Sequence, residues 1–376
     1  MLPTSRGRIA GLDGLRAIAI LAVICAHSTE GTVASSAAES RWAFLIGKLG
    51  PFGVRLFFAI SGYLITSLFV QELATHERSR ALRMFYIRRG FRIIPPFLPY
   101  LAVMTLGWAY ALLPIRGRDI LTAGTFLGNY FAGGWLVNHF WSLAVEEQFY
   151  LFWPPLIALA GEKASRWYGV AIAGAVAIVR PLTLAHYPAK DASWLLFRTH
   201  LIIDFLVYAA LLALLLRNSA VRRWLRAQAR PAILGGLLGL LMLTDVLSPK
   251  VKLVDPRSIE AALFALLAIL PSLRPEMALT GWLEHPALVW IGRRSYSIYI
   301  WQQLFLMPHG WTLARNLESL IPRAIPIFVV AALSYRFLEE PLIRKGRALA
   351  QKLGERRAVL ETRSRSSSAI AQTTSS

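Results

Sequence analysis

The first apolar stretch of the chain, LDGLRAIAILAVICAHS, contains three ionisable residues, Asp13, Arg16 and His27. At about 100° per residue, Arg16 and His27 share one helix face, roughly 16 Å apart along the axis. His27 is a candidate general base, because an imidazole pKa of about 6.5 leaves the ring neutral and able to accept a proton. Arg16 must pair with a carboxylate or bind an anion, and a local pair with Asp13 explains it equally well.

A second polar group lies in the stretch NHFWSLAVEEQFYLFWP. Ser142, Glu146 and Tyr150 are spaced four residues apart, so one helix face offers a hydroxyl, a carboxylate and a phenol. Glu147 lies about 100° around the same helix. Two adjacent carboxylates in an apolar segment need cationic partners. The aromatic residues of this stretch, including Trp141, are also typical of an interfacial belt.

Three arginines lie close together in FYIRRGFRIIPPFLPY. Arg88, Arg89 and Arg92 have i, i+3 and i, i+4 spacings, so they present a basic edge at the start of a helix. Such an edge suits a phosphate-bearing ligand, because arginine makes forked contacts with phosphate oxygens. Spacing alone favours a simpler explanation, which is anchoring at the cytoplasmic membrane surface.

Two further stretches carry candidate polar groups. In RTHLIID, His200 and Asp204 are four residues apart, and Asp204 could orient His200. In GRRSYSIYIWQQ, Ser295, Tyr296 and Gln302 surround the start of an apolar segment. A structural network between helices is the simpler explanation for any one of these residues, although ionisable groups at membrane depth usually mark function.

The elements that position these residues are predicted to be transmembrane helices. The chain is 56% hydrophobic and 16% charged, whereas soluble domains are about 25% charged. We expect an all-α polytopic membrane bundle of about ten helices over residues 1–345, followed by a basic, serine-rich tail, 346–376, that is disordered. The predicted spans are 9–29, 51–73, 93–115, 140–160, 167–186, 198–217, 231–248, 258–273, 286–308 and 320–340.

The distribution of basic residues predicts the orientation of the bundle. The net charge of +20 comes from Lys and Arg clustered between apolar runs, which indicates membrane topology and not nucleic-acid binding. We expect an inner (plasma) membrane protein with both termini in the cytoplasm. The single cysteine, Cys25, rules out a disulfide within the chain. We see no metal-ligand spacing and no Walker or G-x-S-x-G motif.

Read together, these stretches resemble the membrane-bound acyltransferase-3 family, of the polysaccharide O-acetylase type. The matches run in order along nearly the whole chain: LDGLRAIAILAVICAH, GPFGVRLFFAISGYLIT, FYIRRGFRIIPPF, HFWSLAVEEQFYLFWP, THLIID, IGRRSYSIYIWQQ and SYRFLEEP. The resemblance implies transfer of an acyl group from cytoplasmic acyl-CoA, usually acetyl-CoA, to a hydroxyl of a glycan or related acceptor. Acetyl-CoA would be a co-substrate, with no bound cofactor.

The resemblance also implies roles for residues of this sequence. His27 and Arg16 match the family's histidine and arginine on the first span, and His27 would act as general base or transient acyl carrier. Many members carry a histidine where this chain has Gln302, which favours His27 as the base. The remaining candidates are Ser142 and Glu146 for catalysis, Arg88, Arg89 and Arg92 for the phosphates of acyl-CoA, and Tyr150, Trp141, Asp204 and His200 for the substrate.

Two other functions use the same residues. A transporter or flippase for a glycan or a lipid-linked substrate would employ the buried charges in translocation and would need no acyl donor. A non-catalytic membrane sensor or scaffold would tolerate changes at His27 and Glu146.

Overall fold

The computed structural model describes residues 9–29, 37–131, 133–187, 194–247, 256–307 and 320–354, and these are helical without a strand. The α-helices are α1 (Leu12–Thr29), α2 (Ala37–Gly47), α3 (Leu49–Leu73), α4 (Arg78–Ala109), α5 (Gly117–Gly124), α6 (Trp135–Asn138), α7 (Phe140–His186), α8 (Thr199–Ile202), α9 (Asp204–Leu215), α10 (Ser219–Gln228), α11 (Pro231–Leu247), α12 (Arg257–Leu273), α13 (Ala278–Leu283), α14 (Pro286–Phe305) and α15 (Leu320–Ser334). A π-helix, Tyr335–Glu339, follows α15, and helical structure continues over 340–354.

Helical structure is present in every predicted span, so the prediction of an all-α membrane bundle is confirmed. By length and composition, four described segments could each cross a membrane: Leu12–Thr29, Arg41–Leu73, Arg78–Ala109 and Trp135–His186. A fifth arises if α9 and α10, which are bent by 115° at their junction, are taken as one span. The number of ten crossings stays a prediction.

The third predicted span, 93–115, begins too late. Helix α4 starts at Arg78, and Pro95, Pro96 and Pro99 lie inside it. Prolines are tolerated within membrane helices because neighbouring groups can satisfy the carbonyls that they free. The helix therefore runs through these prolines and does not begin at residue 93. The arginines at 88, 89 and 92 project from a continuous helix that brings them towards the centre of the bundle.

The fourth and fifth predicted spans are two parts of one bent helix, α7. The break falls at Gly161, whose φ of 78° and ψ of 168° are not helical. A positive φ costs glycine little because it has no Cβ atom. No loop separates the two parts, whereas the sequence predicts a connection over residues 161–166.

Two segments predicted to be loop or tail are helical. Helix α10 carries Arg222, Arg223 and Arg226 and exposes Trp224. This composition is typical of a helix lying at a membrane surface. The last helical stretch continues to residue 354, beyond the predicted boundary at 345. The rest of the predicted tail lies outside the described residues.

Close helix packing fixes the position of α1 in the bundle. Helix α1 packs against α3 and α14, α3 packs against α9, and α9 packs against α12. A Cβ atom added at Gly292 would lie 1.8 Å from the carbonyl oxygen of Asp13, and one at Gly62 would lie 2.2 Å from that of Leu206. Small residues allow membrane helices to approach this closely. The contact at Gly292 sets the register of α1 on α14, and so places Arg16 beside α14.

We expect Gly292→Ala to destabilise the protein. The new methyl group would collide with the backbone of α1, and overpacking of this kind costs about 1–3 kcal/mol. Thermal unfolding in detergent measures the effect. The matched control is Gly174→Ala, because a Cβ atom there meets nothing within 4 Å. Equal melting temperatures for the two variants would contradict the close approach of α1 and α14.

Candidate active site

An inner cavity lies between α1, α3, α4, α7 and α14, with a volume of about 80 Å³. We use this name for the space whose polar lining is Arg16, Ser61, Arg89, Arg92, Ser142, Glu146, Glu147, Tyr150, Ser295, Tyr296 and Tyr299. The i, i+4 face of Ser142, Glu146 and Tyr150 therefore points into the cavity, as its spacing predicts. Apart from Glu147, which follows Glu146 on α7, the remaining polar groups come from α1, α3, α4 and α14.

Glu146 and Arg89 both contact Tyr150 in the inner cavity. Glu146 accepts a hydrogen bond from the Ser61 hydroxyl at 3.0 Å and from the Tyr150 hydroxyl at 2.7 Å. The Arg89 guanidinium lies over the ring of Tyr150, 4.2 Å from its centroid. These contacts hold the Glu146 carboxylate at the hydroxyl of Tyr150 and the Arg89 charge over its ring.

Arg16 reaches this cavity, and it also interacts electrostatically with Asp13 on the same helix. It lines the cavity together with Arg89 and Arg92. The Asp13 carboxylate lies 3.7 Å from the Arg293 guanidinium of α14. Arg16 is thus one of three cations that converge from two helices on the carboxylates of α7.

A wider vestibule, of about 1070 Å³, adjoins the inner cavity and shares Arg16, Arg89 and Arg92 with it. Its described lining includes nine arginines and three carboxylates, namely Arg16, Arg88, Arg89, Arg92, Arg217, Arg222, Arg293, Arg344 and Arg347 with Asp13, Glu72 and Glu340. The volume lies at the upper end of small-molecule sites, which span about 300–1,000 Å³. The excess of arginine makes the vestibule suitable for a large anionic ligand.

The three arginines of α4 do not have the same surroundings. Arg88 forms an ion pair with Glu72 at the wall of the vestibule. Arg89 and Arg92 reach the boundary between vestibule and inner cavity. The structure therefore brings the predicted phosphate-binding residues to one surface, with Arg88 already engaged by a carboxylate.

His27 lines neither cavity. Its ring lies 5.8 Å from the ring of Trp135 in an edge-on arrangement, and the side chain of Gln302 approaches it. Gln302 is thus next to His27 in space. Arg16 and His27 share one face of α1, as the spacing predicts, but only Arg16 reaches the inner cavity.

Two hydroxyl groups of the inner cavity are hydrogen-bonded to each other. The Ser142 hydroxyl lies 2.6 Å from that of Tyr299, and the Tyr299 hydroxyl donates to the backbone carbonyl of His139. Ser142 and Tyr299 both line the inner cavity. We call this pair the hydroxyl layer.

The other predicted substrate-binding residues lie outside both cavities. The Asp204 carboxylate, fully buried, forms an ion pair with Arg180 and accepts a hydrogen bond from Ser258. His200 stacks on the ring of Tyr130, with centroids 6.0 Å apart. The predicted orientation of His200 by Asp204 is therefore wrong, because the carboxylate points to α7 and α12.

Trp141 is also distant from the inner cavity. Its ring stacks on Phe197 with centroids 4.3 Å apart, and meets Phe58 edge-on. Further along α7, Phe149, Tyr150 and Trp153 are 1–3% exposed. The alternative of an interfacial belt is wrong for these three residues, which form part of the bundle core.

The sequence analysis did not identify three residues of the site as candidates. Tyr299 lies four residues after Ser295, so its helix face was a usable signal. Ser61 faces Glu146 from α3, a long-range contact without a local signal. His139 precedes α7 at a position that looks like a loop.

We expect Asp204→Ala to destabilise the protein strongly. The change removes the carboxylate that faces Arg180, a fully buried cation, and breaking such a pair costs about 3–5 kcal/mol. Thermal unfolding in detergent measures the loss. As a control, Glu276→Ala removes a carboxylate from an exposed ion pair with Arg226, which contributes about 0–1 kcal/mol. A stable Asp204→Ala protein with weakened acceptor binding would instead place Asp204 at the substrate.

Comparisons with known proteins agree with the earlier resemblance. The chain is 30% identical to a Staphylococcus aureus (strain COL) protein provisionally named O-acetyltransferase, over 90% of this chain and 58% of the relative. It is 28% identical to the peptidoglycan O-acetyltransferase OatA of Listeria monocytogenes, over 91% of this chain and 57% of the relative. It is likewise 28% identical to the O-acetyltransferase OatA of Staphylococcus aureus (strain NCTC 8325), over 89% of this chain and 57% of the relative.

The chain thus spans somewhat more than half the length of the curated relatives it matches. No solved structure matches it. Residues 9–334 match the family model described as an acyltransferase domain, of the acyltransferase-3 type. That range includes all the residues that line the inner cavity. The chain therefore belongs to the acyltransferase-3 family of membrane proteins.

Proposed function

We propose that the chain is an O-acyltransferase that moves an acetyl group from cytoplasmic acetyl-CoA to a hydroxyl of a glycan. One observation carries this proposal: the arginine-rich vestibule narrows into a small cavity that holds Arg16, Ser142 and two carboxylates. The protein would lie in the inner (plasma) membrane with both termini in the cytoplasm. The vestibule then opens to the cytoplasm, where acyl-CoA is found.

The charge of the vestibule supports an acyl-CoA donor. CoA carries several phosphate charges, and charge-assisted hydrogen bonds from arginine are the strongest contacts for them. Arg89 and Arg92 stand where the vestibule meets the inner cavity. A donor whose phosphates bind along the vestibule would direct its thioester towards Ser142 and Tyr299.

The size of the inner cavity favours a short acyl group. Its volume of about 80 Å³ is several times the ~10–15 Å³ that a cavity needs to hold one water molecule. An acetyl group fits this space, whereas a long chain would need the cavity to open. The pantetheine and nucleotide parts of the donor must remain in the vestibule.

The names of the relatives support a glycan acceptor. One relative, from Listeria monocytogenes, is named peptidoglycan O-acetyltransferase. The hydroxyl to be acylated would reach the site from the side of His27, across the hydroxyl layer from the donor. Donor and acceptor would then meet from opposite faces of the membrane.

The reaction needs one proton acceptor and one group that stabilises an oxyanion. The neutral imidazole of His27 would take the proton from the acceptor hydroxyl as its oxygen attacks the thioester carbonyl carbon. The carbon–sulfur bond breaks, and the proton passes to the CoA thiolate. Arg16, Ser142 or Tyr150 would stabilise the oxyanion. In a second route, His27 carries the acyl group before the acceptor takes it.

We expect His27→Ala to abolish acyl transfer, because no other group would take the proton of the acceptor or carry the acyl group. General-base catalysis contributes about 10²–10⁴-fold to the rate. The measurement follows CoA release and protein labelling with radiolabelled acetyl-CoA in detergent. Label on the wild-type protein that disappears in the variant would favour the covalent route.

The matched control for this experiment is His186→Ala, since His186 is an exposed residue in the last turn of α7. The His186→Ala protein should retain the turnover of the wild type. Full activity in His27→Ala would overturn both routes. A folded wild-type protein that neither binds nor turns over any acyl-CoA would point to a transporter.

We expect Arg89→Gln to weaken the binding of CoA by about tenfold or more, because a hydrogen bond to a charged group contributes about 1.5–3 kcal/mol. Isothermal titration with CoA measures the dissociation constant. Arg83→Gln is the control, since Arg83 is exposed on the same helix and lines neither cavity. Equal affinities of the two variants for CoA would contradict the proposal that α4 forms part of the donor site.

A further inference from the structure

The hydroxyl group of Ser295 faces the inner cavity without a hydrogen-bond partner among the described residues. The described lining of the cavity contains six hydroxyl groups, those of Ser61, Ser142, Tyr150, Ser295, Tyr296 and Tyr299. Ser295 is 3% exposed, and no residue in the described part of the chain bonds to its side chain. Buried hydroxyl groups without partners are rare in proteins and call for an explanation.

The protons of the other cavity hydroxyls are already engaged. Ser61 and Tyr150 donate to the Glu146 carboxylate, at 3.0 and 2.7 Å. Tyr296 donates to the backbone carbonyl of Ile93 at 3.0 Å. Because a carboxylate and a carbonyl can only accept hydrogen bonds, the direction of these bonds is fixed.

The two hydroxyls of the hydroxyl layer are engaged in the same way. Tyr299 has a single hydroxyl proton, and it donates this proton to the backbone carbonyl of His139. The 2.6 Å contact between Ser142 and Tyr299 therefore requires the Ser142 hydroxyl to be the donor. Among the described hydroxyls of the cavity, that of Ser295 alone keeps its proton free for a substrate.

Helix packing places Ser295 near Arg16. A Cβ atom added at Gly292 would lie 1.8 Å from the carbonyl oxygen of Asp13, so α14 and α1 touch at this level. Ser295 and Arg16 each follow that contact by about one helical turn, and both line the inner cavity. Tyr299 lies about 6 Å further along α14. A free hydroxyl proton and a guanidinium charge thus face the same small space.

We propose that Ser295 is a catalytic residue that donates a hydrogen bond to the oxyanion formed during acyl transfer, beside the charge of Arg16. This inference rests on the proposed function. As the acceptor oxygen attacks the thioester carbonyl carbon, one electron pair of the carbonyl bond moves onto the carbonyl oxygen. Ser295 donates to that oxygen and keeps its proton. When the electron pair returns, the carbon–sulfur bond breaks, and the CoA thiolate takes the proton held by His27.

The unengaged proton of Ser295 suits this role better than the protons of its neighbours. A donor that is already aimed at the developing charge needs no reorganisation at the moment of reaction. Tyr150 would first have to leave Glu146, and Ser142 would have to leave Tyr299. An unpaired hydroxyl in the resting protein costs stability, and proteins accept such a cost where activity needs the group.

The test measures turnover and stability of the full chain in detergent, with acetyl-CoA and a soluble glycan acceptor. In Ser295→Ala we expect kcat to fall on the order of 10²-fold with little change in KM, because the lost bond forms only in the transition state. We expect the melting temperature to stay equal or to rise, since no hydrogen bond within the protein is lost.

The matched control is Ser272→Ala. The Ser272 hydroxyl is also buried, but it donates to the carbonyl of Ile269 at 2.7 Å and lines neither cavity. This variant should keep the kcat of the wild type.

Each outcome bears on the role of Ser295. A low kcat in a protein that melts no earlier than the wild type supports it, because loss of a structural serine would lower both quantities. More than half of the wild-type kcat in Ser295→Ala overturns it. A raised KM with unchanged kcat does so as well, and so does a lowered melting temperature or a failure to fold. Absence of CoA release in the wild type would instead overturn the proposed function.

Discussion

The mutual neutralisation of buried charges is the constraint on which the rest of the structure depends. Three arginines, Arg16, Arg89 and Arg92, enter an apolar bundle and face Glu146 and Glu147 across one small cavity. Charges of this kind are tolerated at membrane depth when they pair or face a cavity. Because the partners come from α1, α4 and α7, no one of these helices can bury its polar face without the others. The π-helix adds Glu339, which is 2% exposed and interacts with Arg92.

The two cavities differ in their charge. This difference determines which part of the proposed donor would bind in each cavity. The inner cavity has nearly balanced charges, whereas arginines exceed carboxylates threefold in the described lining of the vestibule. Phosphate groups would bind more favourably in the vestibule, because it carries the excess of positive charge. The inner cavity suits a neutral acyl group. The electrostatic gradient therefore favours one direction of entry, with the acyl group ahead of the nucleotide.

Helical periodicity and hydrophobicity allow the sequence to predict which segments are helical and which residues share a helix face. It places Arg16 and His27 on one face of α1, and Ser142, Glu146 and Tyr150 on one face of α7. It does not predict partners across the bundle, because packing sets these. Asp204 binds Arg180 on α7 instead of its sequence neighbour His200. The register of α1 depends on Gly292, which has no local signature.

The hydroxyl layer has an electrical consequence. In the proposed orientation, a polar vestibule and cavity extend inwards from the cytoplasm and end at Ser142 and Tyr299. Much of the transmembrane voltage would then fall between this pair and the outer surface, on the side of His27. Moving one elementary charge through 100 mV changes its free energy by about 2.3 kcal/mol. A proton that moves at His27 in the proposed reaction would therefore move in a focused electric field.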